Sequence, residues 1–104
     1  MESKRHKLLK KRVAKALERM GCENIEIERK IPITHYDHKH ILRVDVCAVL
    51  NGLKIAIECG TFNPIDCPHE TYLDPGTKLF YYKQHFDRVL NVRLDKRIIE
   101  LVEV

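Results

Sequence analysis

The chain contains no run of about 18 apolar residues, so the sequence predicts no membrane-spanning helix. Its opening stretch, MESKRHKLLKKRVAK, lacks the continuous apolar region of a secretion signal. An intracellular, cytoplasmic location is the expectation, with the four cysteines (Cys22, Cys47, Cys59, Cys67) held as thiols. There is no internal repeat, linker or low-complexity segment, and no C-x-x-C pair. The last absence argues against structural zinc, whose ligands usually come in closely spaced pairs. What stands nearest to such a site is His35, His38 and His40 in HYDHKH, with Cys67 and His69 in CPHE, and no second cysteine pair accompanies them. The histidines are read as loop residues which, with Tyr36 and Lys39, either touch nucleic-acid backbone or are simply solvated.

What is present fits one domain over residues 1–104. Hydrophobic residues make up 44%, ordinary for a chain that buries a core. Charge is unevenly placed. The first twenty residues hold eight Lys/Arg against two Glu, a local +6 in a chain whose net charge is +4. Such a segment suits phosphate contacts, with Lys4, Arg5, Lys7 and Lys11 as candidates and Lys39 beside them further on. A solvated helix face explains the charge equally well.

Apolar periodicity predicts a helix over 3–20, with Ser3 as cap and Leu9, Val13, Ala16, Leu17 and Met20 inward. Alternation predicts strands over 24–33, 41–50 and 53–60, with 34–40 a loop. Residues 61–76 are proline-rich and read as irregular. A second helix is expected over 77–86, capped by Thr77, and two strands over 88–94 and 97–104. The order αβββαββ describes an α/β or α+β sandwich, a central mixed sheet flanked by two helices. In the second helix Leu79, Tyr82 and Phe86 form a core stripe. Lys78, Tyr81 and His85 share another face, from which Tyr81 could stack on a base. The terminal strand, rich in Ile and Val, is a candidate sheet edge and homodimer surface.

Asn51-Gly52 is a strong two-residue hairpin signal. If it turns the chain, Leu50 pairs with Leu53, Val46 with Ile57 and Ala48 with Ile55. Val44 then faces Cys59 on the same apolar surface. On the opposite surface Cys47 faces Ala56, Arg43 faces Gly60, and Asp45 faces Glu58. Like charges directly opposite destabilise a sheet. A divalent cation would offset that repulsion, and the small neighbours Cys47, Ala56 and Gly60 would leave space for a substrate. The bland alternative is a pair of surface acids satisfied by Arg43 or Lys54. Cys59 lies on the apolar surface by the same alternation, so it reads as an inert small hydrophobe rather than a nucleophile.

With Asp45 in the second strand and Glu58 in the third, across a tight turn, the chain resembles the PD-(D/E)XK nuclease-like superfamily, with the restriction-endonuclease-like fold. In size and layout it is nearest the small archaeal resolvase-like members. The resemblance spans roughly residues 5–95 and implies metal-dependent hydrolysis of DNA phosphodiesters. It implies Mg²⁺ or Mn²⁺ held by Asp45, Glu58 and the backbone carbonyl of Cys59, with Arg43 or Lys78 stabilising charge on phosphorus, and a homodimer. Val44 replaces the motif's proline, and Gly60 stands where the family has lysine (IECG). The family's acid on the first helix is also missing from its usual place, which His6 or Lys7 occupies; Glu18 lies too late. These departures keep two alternatives open: a relative that binds nucleic acid, DNA or RNA, without cutting it, or a small structural or interaction domain.

Overall fold

A computed structural model of the chain describes residues 4–59, 75–95 and 98–104. The fold is α+β: helix α1 (Lys4–Arg19), strands β1 (Glu23–His35), β2 (His38–Leu50) and β3 (Leu53–Glu58), helix α2 (Pro75–His85), and strands β4 (Arg88–Asp95) and β5 (Ile98–Glu103). The five strands form one mixed sheet in the order β1-β2-β3-β4-β5. β3 and β4 are parallel and every other neighbouring pair is antiparallel. Parallel neighbours need a crossover, which α2 supplies. β5 lies at a sheet edge, as its sequence suggests. Among the described residues no helix is long and apolar enough to cross a membrane.

The β2–β3 hairpin has the register read from Asn51-Gly52: Leu50 pairs with Leu53, Ala48 with Ile55, Cys47 with Ala56 and Val46 with Ile57. Both turn residues have positive φ, 51° and 80°, the geometry that a two-residue hairpin turn demands. The segment 34–40 is not a loop. β1 and β2 run on through it and close on a second two-residue turn at Tyr36-Asp37, with His35 paired to His38. Polarity suggested a loop there, but an edge hairpin with two wet faces is polar as well. α2 begins at Pro75, earlier than expected. A proline fits the first helical turn because no amide is needed there, and Thr77 is inside the helix rather than its cap. Ser3 lies outside the described residues.

Two apolar clusters sandwich the sheet. Val13 and Leu17 of α1 pack with Val46, Ala48, Ile55, Ile57 and Cys59. Tyr82 and Phe86 of α2 pack with Ile33, Leu42, Val44, Cys47 and Ala56. Each large side chain so buried contributes about 1.5–3 kcal/mol. The small residues Cys47 and Ala56 therefore do not open space for a substrate; they make room for two α2 rings. Leu8 of α1 and Met20, just past its end, are exposed, and the helix turns Lys10 inward instead.

The alternation along β2 breaks at Asp45. Val46 and Ala48 belong to the α1-side cluster, but Leu42 and Val44, four and two residues before Val46, belong to the α2-side cluster. Val44 therefore does not share a surface with Val46 and Cys59. β1 changes at the same level, with Ile25 packing toward α1 and Ile31 toward α2. The pairs Ile27–Val46 and Arg29–Val44 bracket the break, so Glu28 lies opposite Asp45. Glu28 has φ 59°, the left-handed region, in mid-strand. A non-glycine residue held there is strained, and such strain clusters at functional sites.

Candidate functional site

The break in alternation makes Asp45 reachable from both helical layers. Continuing the β2–β3 register one step past Val46–Ile57 puts Asp45 opposite Glu58. The two carboxyl groups are close enough for Asp45 to act on the acidity of Glu58. Asp45 Oδ2 also accepts the buried Cys59 N–H at 2.8 Å. From the α1 side Lys10 Nζ lies 3.5 Å from Asp45 Oδ1 and 2.8 Å from Glu28 Oε1, while His6 Nε2 lies 3.6 Å from Asp45 Oδ2. From the α2 side the Tyr82 hydroxyl sits between the Arg43 carbonyl oxygen and Glu58 Oε2, the latter at 3.2 Å. A polar chain thus crosses the sheet from Glu28 through Lys10, Asp45 and Glu58 to Tyr82.

Lys10 and Asp45 are buried, at 4% and 8% exposure. A charge is buried only with a partner, and here each partners the other. Glu58 is pushed up to about 8, first by burial, then by the Asp45 charge and the hydrogen bond to it; Lys78 and Tyr82 pull it partly back. Glu58 therefore keeps its proton at neutral pH and can donate a hydrogen bond. Tyr82 is held well above its ordinary range by burial and then by Glu58, and it stays a phenol. Burial also pushes the Cys47 thiol up, in keeping with an inert packing role.

The acid pair floors a pocket of about 360 Å³. Four cations line it: Lys30 and Arg43, paired across β1 and β2, Lys78 from α2 and Lys10 from α1, with His6 and Glu28 beside them. The structure therefore brings together four expected residues: Asp45, Glu58, Arg43 and Lys78. Cys59 is adjacent, but it is its amide that meets Asp45. Lys4, Arg5, Lys7 and Lys11 are exposed along α1, and Lys39 is exposed on β2 rather than in a loop. Glu18 is exposed and does not line the acid pocket. Gly60, Cys67 and His69 lie outside the described residues.

Sequence reasoning missed Lys10, Glu28 and Tyr82 as site residues. Lys10 carried one usable signal: it precedes Val13 and Leu17 by three and seven residues, on the apolar stripe. Glu28 could have been placed opposite Asp45 had the Tyr36-Asp37 turn been recognised.

Among the described residues no group of three or more His, Cys, Asp or Glu side chains is arranged to hold a metal ion. The pair Asp45–Glu58 still suits one hard cation that takes its other ligands from water and phosphate. The donors are oxygen, adjacent and partly buried, and the proton held by Glu58 is what a cation would displace. Glu28 adds nothing to that donor set while Lys10 holds it. Comparison of the chain with family models, with curated proteins and with solved structures finds no match.

Proposed function

We propose that the chain is a small metal-dependent nuclease-like domain that hydrolyses phosphodiesters of DNA, on a PD-(D/E)XK, restriction-endonuclease-like scaffold. The carrying observation is the Asp45–Glu58 pair, brought opposite one another by the hairpin register in a pocket lined also by Lys10, Lys30, Arg43 and Lys78. The element order αβββαββ, the parallel β3–β4 crossover and the two acids on β2 and β3 support the scaffold. A Mg²⁺ or Mn²⁺ ion held by Asp45 and Glu58 would supply Lewis acidity and a more acidic bound water.

The chain's own residues do the rest. The Cys59 amide and Lys10 hold the Asp45 carboxylate in one orientation. Tyr82 fixes Glu58. Lys30, Arg43 and Lys78 receive the phosphate, and Arg43 or Lys78 stabilises charge that develops on it, in place of the motif lysine. The exposed cations of α1 hold the nucleic-acid backbone without reading its sequence.

One observation favours a second reading. The Lys10 ammonium already compensates Asp45 and Glu28, which is what a protein that binds nucleic acid without cutting it would need. Incubation of supercoiled and branched DNA with Mg²⁺ or Mn²⁺ decides between the two. Cutting by the wild type that is lost in both Asp45→Ala and Glu58→Ala supports hydrolysis. Binding without cutting supports the second reading, and cutting that survives either substitution removes the acid pair from the chemistry.

A further inference from the structure

We infer that the tip of the β1–β2 hairpin and the middle of α2 form a stacking platform for unpaired bases, so that the strand entering the acid pocket is single-stranded there. The inference rests on reading that pocket as a phosphodiester site, but the platform is built from other residues.

The first observation is Tyr36. It occupies the first position of a two-residue turn with φ 48°, followed by Asp37 at 62°. Such turns favour Asn and Gly, and the other hairpin of this chain uses Asn51-Gly52. A bulky side chain is disfavoured in that conformation. Nor does packing compensate, since Tyr36 is 85% exposed. A strained, exposed ring at a hairpin tip is what a contact residue looks like.

The second observation is the set of rings behind it. Tyr36 meets His35 with centroids 4.4 Å apart, His35 meets Tyr81 at 5.6 Å, and Tyr81 meets Phe80 at 5.4 Å. Hydrogen bonds lock the middle of this row. The Tyr81 hydroxyl donates to the Thr34 carbonyl at 3.2 Å and lies 2.9 Å from His35 Nδ1. The two ends stay open, since Phe80 is 58% exposed. Rings held in place before a ligand arrives lose little entropy on binding.

Charge selects the occupant. Between Lys30 and Arg43 the chain carries one acid, Asp37, against Lys39 and three histidines. Lys30 and Arg43 are paired at the pocket, and His35 is five residues further along β1, about 17 Å away. On α2, Lys78 at the pocket precedes Phe80 by two residues. A row of rings leading into a cationic groove fits a strand with a charged backbone and free base faces. Bases inside a duplex are stacked on one another and cannot offer those faces.

Fluorescence anisotropy of the full chain with a labelled oligothymidylate, and with a blunt duplex of matching length, tests the platform. Tyr36→Ala combined with Phe80→Ala should weaken single-strand binding about ten- to hundredfold and leave duplex binding unchanged. Tyr36→Gly relieves the turn, so it should raise Tm while weakening single-strand binding, and Tyr36→Trp should restore it. Equal losses on both ligands, or none, overturn the platform. So does a loss of binding to anionic phospholipid vesicles, or of dimer mass, in place of oligothymidylate binding. Asp45→Ala separates this inference from the nuclease reading, because it should abolish cutting and leave the platform's preference intact. If the wild type cuts nothing yet prefers single strands through Tyr36 and Phe80, the platform stands and the hydrolysis falls.

Discussion

Lys10 of α1 and Asp45 of β2 meet at the boundary between helix and sheet, Nζ to Oδ1 at 3.5 Å, and they are the charged residues buried among those described. Breaking a buried pair by removing one partner leaves an uncompensated charge, at about 3–5 kcal/mol when burial is complete. Glu28, the other partner, is half exposed, which reduces the cost. Lys10→Met should destabilise by roughly 2–3 kcal/mol in urea unfolding. It should also free Glu28, so that Mn²⁺ raises the Tm of Lys10→Met more than that of the wild type. An equal rise in both proteins would show that Lys10 does not compete with a cation.

Glu58 makes stability depend on pH. Its acidity in the folded chain is set near 8, above its ordinary 4.5. Between those values the folded state binds more protons than the unfolded state, so stability falls as pH rises. This contribution is fully present below about pH 4.5 and is lost as pH passes 8. At ~1.4 kcal/mol for each tenfold change in proton affinity, the loss approaches ~5 kcal/mol. Glu58→Gln should flatten that slope and be more stable than the wild type at pH 9, as read from urea midpoints. If a divalent cation takes the proton's place, Mn²⁺ should protect the wild type more at pH 8 than at pH 5.

Tyr82 joins the two sides of the site through one hydroxyl. In Tyr82→Phe the ring still fills its place beneath the sheet, but the Arg43 carbonyl and Glu58 lose their shared partner. An unsatisfied buried acceptor costs about 1–3 kcal/mol, and thermal unfolding should show a loss in that range. The same variant should raise the Glu58 titration further, because the Tyr82 bond is one of the two influences that lower it. A carboxyl resonance followed by NMR against pH reads this directly.

Ala56 tests what the small residues on the α2 side are for. It is 1% exposed and clusters with Tyr82 and Phe86. Ala56→Leu should overpack that cluster and cost about 1–3 kcal/mol. A neutral substitution would return the space above Ala56 to solvent or substrate.

The exposed cations of α1 predict a salt effect. For duplex DNA, replacing Lys4, Arg5, Lys7 and Lys11 together by Ala should weaken binding and flatten its dependence on salt. Every phosphate that the variant no longer neutralises should reduce the logarithmic slope by about 0.9. An unchanged slope would assign the helix face to solvation alone.

Local rules made much of this molecule legible. Asn51-Gly52 requires positive φ at two successive residues, which sets the β2–β3 register and brings Asp45 opposite Glu58. Periodicity located both helices and the strands, because the apolar spacing of Val13 with Leu17, and of Tyr82 with Phe86, matches a helical face. The β1–β2 turn was missed because Tyr36-Asp37 lacks the glycine that usually marks such a turn. The fate of Val44 was missed for a different reason: strict alternation assumes an unbroken pleat, and Glu28 breaks it at the level of Asp45.

The amino-acid sequence by itself determined the order of elements, the hairpin that pairs two acids, and the basic character of α1, since each depends on neighbours a few residues apart. Only the tertiary structure decided which charges those acids meet. Lys10 reaches Asp45 because α1 packs on the sheet at the level of Glu28. Tyr82 reaches Glu58 because the crossover lays α2 on the opposite face. Such meetings between residues far apart in the chain follow from how layers stack, and no local pattern encodes the angle at which they do.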